Sequence, residues 1–104
     1  MITTTTRNAS TAIRQLESFS TGGALEGFSD PSVYRVYSYQ TMICEAYPND
    51  ARKIAFFNNA KYSVTTSRHQ NEVKRGLLSA GFELLYYYNW QGFLDLVKEY
   101  EPSK

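Results

Sequence analysis

Val33-Tyr34-Arg35-Val36-Tyr37-Ser38-Tyr39, followed almost at once by Thr41-Met42-Ile43-Cys44-Glu45-Ala46-Tyr47, is the stretch whose reading decides the fold. Both runs are rich in β-branched and aromatic residues, and the first alternates with a period of two. Side chains of one parity therefore share a face, the pattern of a half-buried strand. Pro48-Asn49-Asp50 is turn chemistry, and Lys53-Ile54-Ala55-Phe56-Phe57 reads as the returning strand of a hairpin. Asn58-Asn59 marks a second turn, after which Lys61-Tyr62-Ser63 adds a short strand.

On either side of this centre the period lengthens to that of helices. Ala9, Ile13 and Leu16 fall three or four apart, flanked by Ala12 and Phe19, with Asn8 or Ser10 as the cap. Gly22-Gly23 ends that helix, and the stretch through Gly27, Asp30 and Pro31 reads as a loop. Ser67, with Gln70 three residues on, has the form of a capping box opening a second helix. That helix carries Val73, Leu77 and Leu78 on one face and the charge ladder Arg68, Glu72, Arg75 on another. Gly76 weakens it and Gly81 stops it. Phe82 to Tyr88 is a buried strand, and Asn89 caps a final helix with the stripe Trp90, Phe93, Leu94, Val97.

The order α-β-β-β-α-β-α predicts one α+β domain over residues 1–104: a small antiparallel sheet of three to four strands packed against two to three helices. The strands fall near 33–39, 41–47, 53–57 and 82–88, with helices on one sheet face and the other open. The predicted core is Ile13, Leu16, Val36, Ile43, Ile54, Phe56, Val73, Leu77, Leu85, Phe93 and Val97.

Composition narrows the function classes. Eleven basic residues stand against ten acidic ones, a formal net charge of +1, so nothing global draws the chain to nucleic acid or an anionic membrane. No apolar run reaches the roughly 20 residues of a membrane span, and Met1-Ile2-Thr3-Thr4 lacks the features of a signal peptide. Cys44 is the single cysteine, which suits a reducing cytoplasm and rules out an internal disulfide or a cysteine zinc cage. With one histidine besides, no metal site and no cofactor is expected. Phosphate-binding glycine signatures are also missing. His69 shares a helical face with Val73 and Leu77, so it reads as a residue of the core edge. A general base would need a nucleophile in reach and a carboxylate to orient it. No catalytic residue is assigned, and an enzyme is the weakest class.

Two clusters remain. Lys61, Tyr62, Thr65, Thr66 and Arg68 gather at the expected start of the second helix, where free N–H groups, hydroxyls and a cation suit an anion. With Arg52, Lys53, Lys74 and Arg75 they form a basic stretch interleaved with aromatics, as in single-strand binding platforms. The second cluster is aromatic. Nine tyrosines are unusual for this length, and tyrosine is enriched at protein interfaces. Alternation puts Tyr86 and Tyr88 on one face and Tyr87 on the other, so at least one ring is exposed. Joined by Tyr34, Tyr37 or Tyr39 and by Trp90, it would make an interaction patch.

The runs Ser38-Tyr39-Gln40-Thr41-Met42-Ile43-Cys44 and Tyr62-Ser63-Val64-Thr65-Thr66-Ser67-Arg68-His69-Gln70 resemble a family of small uncharacterised proteins from tailed bacteriophages. Its motifs are S-Y-x-T-x-[IV]-[AC] and Y-S-x-T-T-S-[RK]-H-Q, which cover the middle third of the chain. The resemblance implies a phage origin and a site of action in the host cytoplasm. Small phage proteins outside the virion often bind a host protein, and inhibitors of bacterial immunity such as anti-CRISPR proteins are a prominent group of this size. The leading expectation is stoichiometric binding to a host protein. A nucleic-acid binder comes second, membrane association is not expected, and homodimerisation is left open.

Overall fold

A computed structural model describes residues 1–104. Seven strands follow one another across a single sheet: β1 (Ile2–Thr3), β2 (Phe19–Ser20), β3 (Leu25–Ser29), β4 (Tyr34–Ser38), β5 (Thr41–Ala46), β6 (Ile54–Asn58) and β7 (Glu83–Tyr87). Helix α1 (Ala9–Arg14) lies between β1 and β2, α2 (Val64–Ser79) between β6 and β7, and α3 (Trp90–Tyr100) after β7. Pairing is antiparallel from β2 through β6 and parallel at both ends, β1 with β2 and β6 with β7. The α+β class is as expected, but the sheet has seven strands rather than three to four and is not purely antiparallel. No helix is long and apolar enough to cross a membrane.

The differences from the sequence expectation have local causes. Gly22-Gly23 does not end a helix. Both glycines have positive φ, 80° and 95°, and turn β2 into β3. α1 stops earlier, at Arg14, and Leu16 with φ 54° leads the chain away, so Phe19 enters a strand. The expected loop contains β3, whose Leu-Glu-Gly-Phe-Ser has weak strand propensity but pairs residue by residue with β4 from Leu25↔Ser38 to Ser29↔Tyr34. Gly27 is required there, since a Cβ would fall 2.3 Å from a ring carbon of Phe19 and 2.7 Å from the Tyr34 hydroxyl. Lys61-Tyr62-Ser63 forms no strand. β7 is parallel to β6 because the crossover through α2 returns the chain to the same end of the sheet. It is also an edge strand, with Glu83 and Tyr86 exposed, and not the buried strand expected.

β6 explains the layering. All five of its residues are buried. Ala55 and Phe57 join the cluster beneath α1 and α2, with Ile13, Val36, Cys44, Val73 and Leu77. Ile54 and Phe56 join the cluster on the opposite face, with Tyr47, Tyr87 and Phe93 of α3. Helices therefore pack on both faces. Of the predicted core, Leu16, Leu85 and Val97 are only half-buried and the rest are buried.

The start of α2 is one turn earlier than expected. Ser63, not Ser67, is the cap: its Oγ accepts from the Thr66 N–H at 3.3 Å, and the Ser67 N–H is already bonded to the Ser63 carbonyl at 2.9 Å. Gln70 does not reach back to a cap. Its Nε2 donates to the carbonyls of Asn58 (2.8 Å) and Ala60 (2.9 Å). Starting at Val64 puts Thr66, His69, Gln70, Val73 and Leu77 in one buried stripe, which favours the longer helix. Replacing Ser63 by alanine should cost about 0.5–2 kcal/mol in urea unfolding, and Ser67→Ala distinctly less. Equal costs at the two positions would return the cap to Ser67. Two expected signals hold: Asn89 Oδ1 accepts from the Gly92 N–H at 2.7 Å to start α3, and Gly81, with φ 87°, follows the end of α2.

Candidate functional site

α3 rests on β6 and β7 and leaves the rest of its sheet face uncovered. On that face β3 and β4 present Phe28 and Tyr37, whose ring centroids are 5.9 Å apart, together with Arg35, while β5 presents Met42 and Glu45. The free sheet and the side of α3 enclose a groove made of two adjoining cavities. One, of about 540 Å³, runs from Arg35 and Glu45 past Phe93, Leu94 and Val97 to Glu101, Pro102 and Lys104. The other, of about 340 Å³, is walled by Gln40, Asn58, Tyr62, Tyr87 and Asn89. Tyr37, Met42 and Trp90 line both, so the two are one cleft with an aromatic waist.

Polar contacts tie the floor and the far end of the cleft together. Glu45, buried in the floor, accepts from Arg35 Nε at 2.6 Å and from the Tyr47 hydroxyl. Burial, followed by the bond to Glu45, raises the Tyr47 phenol above its ordinary value, so it stays a donor. At the far end Asp50 accepts from Arg52 Nε (3.0 Å), Arg52 Nη2 (2.9 Å) and the Ser103 N–H (2.8 Å). Arg52 Nη2 also donates to the Tyr100 carbonyl at 2.8 Å, which ties the end of α3 and the following tail to the β5–β6 turn. The side-chain bonds of Arg52, then the backbone N–H groups, hold the Asp50 carboxyl well below the usual carboxylate range.

The six aromatic residues singled out from the sequence are divided by the fold. Tyr37 and Trp90 meet in the groove, and Trp90 is 61% exposed while stacking on Phe93 at 4.9 Å. Tyr34 is 1% exposed and donates to the Glu17 carbonyl at 2.7 Å, so it belongs to the core and not to a docking surface. Tyr39 is exposed at the β4–β5 turn, with its ring 5.9 Å from that of His69. Tyr86 packs on Phe57 on the α2 side of the sheet, Tyr88 is exposed beyond β7, and Tyr87 is the buried member of the run. Tyr62, Met42, Phe93, Leu94 and Val97 complete the groove. The i, i+3, i+4, i+7 spacing on α3 was the available signal for Leu94 and Val97; nothing local marked Met42, and Tyr62 was singled out only for the anion cluster.

The basic stretch is dispersed. Arg52 is bound to Asp50, Arg75 pairs with Glu72 at 3.1 Å, and Lys53 donates to the Ala80 carbonyl with its ammonium over the Phe82 ring. Thr66 is buried in the cap of α2, while Thr65 and Arg68 are exposed on the helix. The expected anion site at the Ser67 helix start does not form, because Ser67 lies within the helix. Only Lys61, Tyr62 and Lys74 come together, around a third cavity.

His69 Nδ1 and Ser38 Oγ share a 2.6 Å hydrogen bond, a contact between residues 31 apart that no local pattern announces. Both are buried, at 2% and 1% exposure, and neither lines a cavity. Burial lowers the His69 pKa, so the ring is neutral near pH 7 and the pair is a satisfied polar contact in the core. Burial likewise pushes the Cys44 thiol up to about 12. No three His, Cys, Asp or Glu side chains converge as metal ligands would.

Residues 3–82 match the model of a family of unknown function (DUF8033), a span from β1 through α2 that ends just before β7 and α3. No curated protein and no solved structure matches the chain.

Proposed function

We propose that this chain, which belongs to the DUF8033 family, is a non-catalytic binding protein that holds a partner protein in the cleft between α3 and the uncovered sheet face. The observation that carries the reading is the cleft's composition: an aromatic waist of Tyr37 and Trp90 over a floor whose charged groups already satisfy one another. Tyrosine and tryptophan on a rigid support are the residues that dominate protein interfaces. A floor carboxylate bonded to Arg35 and Tyr47 is poorly placed for acid–base work, and no nucleophile–base pair opens into the cleft. The resemblance of residues 38–44 and 62–70 to small proteins of tailed bacteriophages favours a host protein in the host cytoplasm as the partner. A component of a bacterial defence system such as CRISPR-Cas would be bound stoichiometrically and inhibited. Nucleic acid ranks second as the main ligand, because Arg52, Lys53 and Arg75 are engaged within the protein.

Affinity capture from a bacterial lysate, followed by titration of the retained protein, tests this. Trp90→Ala should weaken that partner by more than 1 kcal/mol with little change in melting temperature, since the indole is mostly exposed. A partner held equally well by the variant would remove the cleft from the interface. The absence of any stoichiometric partner would sink the reading itself.

A further inference from the structure

The third cavity, of about 340 Å³, lies on the α2 side, between that helix and the loop that follows β6. Lys61, Tyr62, Ser67, Asn71 and Lys74 line it over a floor of Phe57, and no carboxylate is among its lining residues. Neither lysine belongs to any of the protein's three ion pairs. In a chain whose net charge is only +1, two uncompensated cations facing one cavity are a local concentration of positive charge. The Lys74 ammonium is held 5.5 Å from the Phe57 ring centroid and 5.3 Å from that of Tyr86, contacts that leave its N–H groups free to donate.

The loop bearing Lys61 and Tyr62 is fixed in advance. Gln70, buried in α2, donates to the carbonyls of Asn58 and Ala60 at 2.8 and 2.9 Å. Asn58 Nδ2 donates to the Tyr62 hydroxyl at 3.0 Å, and Asn58 Oδ1 accepts from the Ala60 N–H at 3.0 Å. The Tyr62 ring is therefore oriented while remaining 46% exposed. Paired cations, amide and hydroxyl donors and one fixed, open aromatic ring fit an anion that carries a planar group.

We propose that this cavity is a nucleotide-phosphate site, in which Lys61 and Lys74 hold a phosphate and the attached base stacks on Tyr62. The site lies on the other side of the sheet from the cleft beside α3 and shares only Tyr62 with it. A free nucleotide and a single-stranded nucleic acid offer the same chemistry, so the test uses both as probes. A fluorescent ten-residue oligothymidylate and a fluorescent adenosine monophosphate are titrated by anisotropy against the full chain at several salt concentrations. At least one probe should bind. Lys61→Ala and Lys74→Gln should each weaken it about tenfold, and for the oligonucleotide each should flatten the slope of log K against log salt by about 0.7. Lys61→Arg should restore most of the affinity, Tyr62→Leu should weaken binding several-fold, and Lys98→Ala, at a residue that lies in none of the cavities, should leave it unchanged. Binding of the oligonucleotide alone identifies a strand as the ligand, and preference for the mononucleotide identifies a free nucleotide. Failure of both probes to bind below about 1 mM at low salt, or equal losses from Lys98→Ala and Lys61→Ala, would overturn the proposal.

Discussion

Replacing Phe56 by alanine should lower stability by about 3–5 kcal/mol, the largest effect expected from a single side chain here. The ring is fully buried on the α3 face, 5.2 Å from Tyr47, 6.0 Å from Phe93 and 6.2 Å from Tyr100 between centroids. Of α3, only Phe93 is buried, so most of the helix's hold on the sheet passes through this aromatic stack. A cavity under Phe93 would leave α3 with half-buried contacts at Leu96, Val97 and Tyr100. Domains of this size have about 5–15 kcal/mol in total, so the loss is a large fraction of what holds the fold. Urea unfolding should show a lower midpoint with little change in slope, and amide exchange in residues 90–100 should rise more than in α2. The same substitution should loosen the binding cleft, whose outer wall is α3. A cost below about 1 kcal/mol would mean that α3 is not anchored on Phe56.

Gly76→Ala should destabilise by about 1–3 kcal/mol, although alanine is favoured over glycine inside a helix by roughly 1 kcal/mol. The added methyl would lie 2.7 Å from both Cβ and Cγ2 of Ile13 and 2.9 Å from the Ser10 carbonyl oxygen. A backbone oxygen and a Cβ are not ends of flexible side chains that can swing aside, so α1 would have to withdraw from α2. That separation would disturb Ala9, Ala12 and Ile13, which are all buried beneath the crossing. The residue that looks from the sequence like a weak point of the helix is where two backbones come closest. A rise in melting temperature for Gly76→Ala would show that α1 can move at little cost.

The elements legible in the sequence are those whose cause is local. The alternation of 34–38 and the apolar run 54–57 specify strands because neighbouring side chains point to opposite faces, whatever covers those faces. Asn89 before α3 and Gly81 after α2 work through hydrogen bonds and dihedral angles within a few residues. The burial of Cys44 follows from apolar neighbours in the same way, whereas His69, read as a residue of the core edge, is fully inside the core with Ser38. The capping box at Ser67 shows where such reasoning stops: Ser63 offered the same oxygen one turn earlier, and burial of the Thr66 to Leu77 stripe chose between them.

The candidate sites were legible only as residue types. Six aromatic residues and nine anion-site candidates could be named, but their grouping depends on register and layering. Tyr34 faces the helices and Tyr37 the cleft because the sheet takes one parity to each side, and only the packed helices decide which side stays open. Arg52 and Arg75 find acids within three residues, whereas Lys61 and Lys74 meet without one across a loop–helix junction. Residues 25–29 carry little strand propensity, yet they become β3 because the edge of β4 supplies partners for their backbone groups. Local chemistry by itself determined the central strands, the end of α2, the start of α3 and the α+β class. Tertiary structure decided strand number, the direction of β7 and the composition of both sites, because hydrogen bonds and burial between distant segments outweigh preferences that are weak in any one of them.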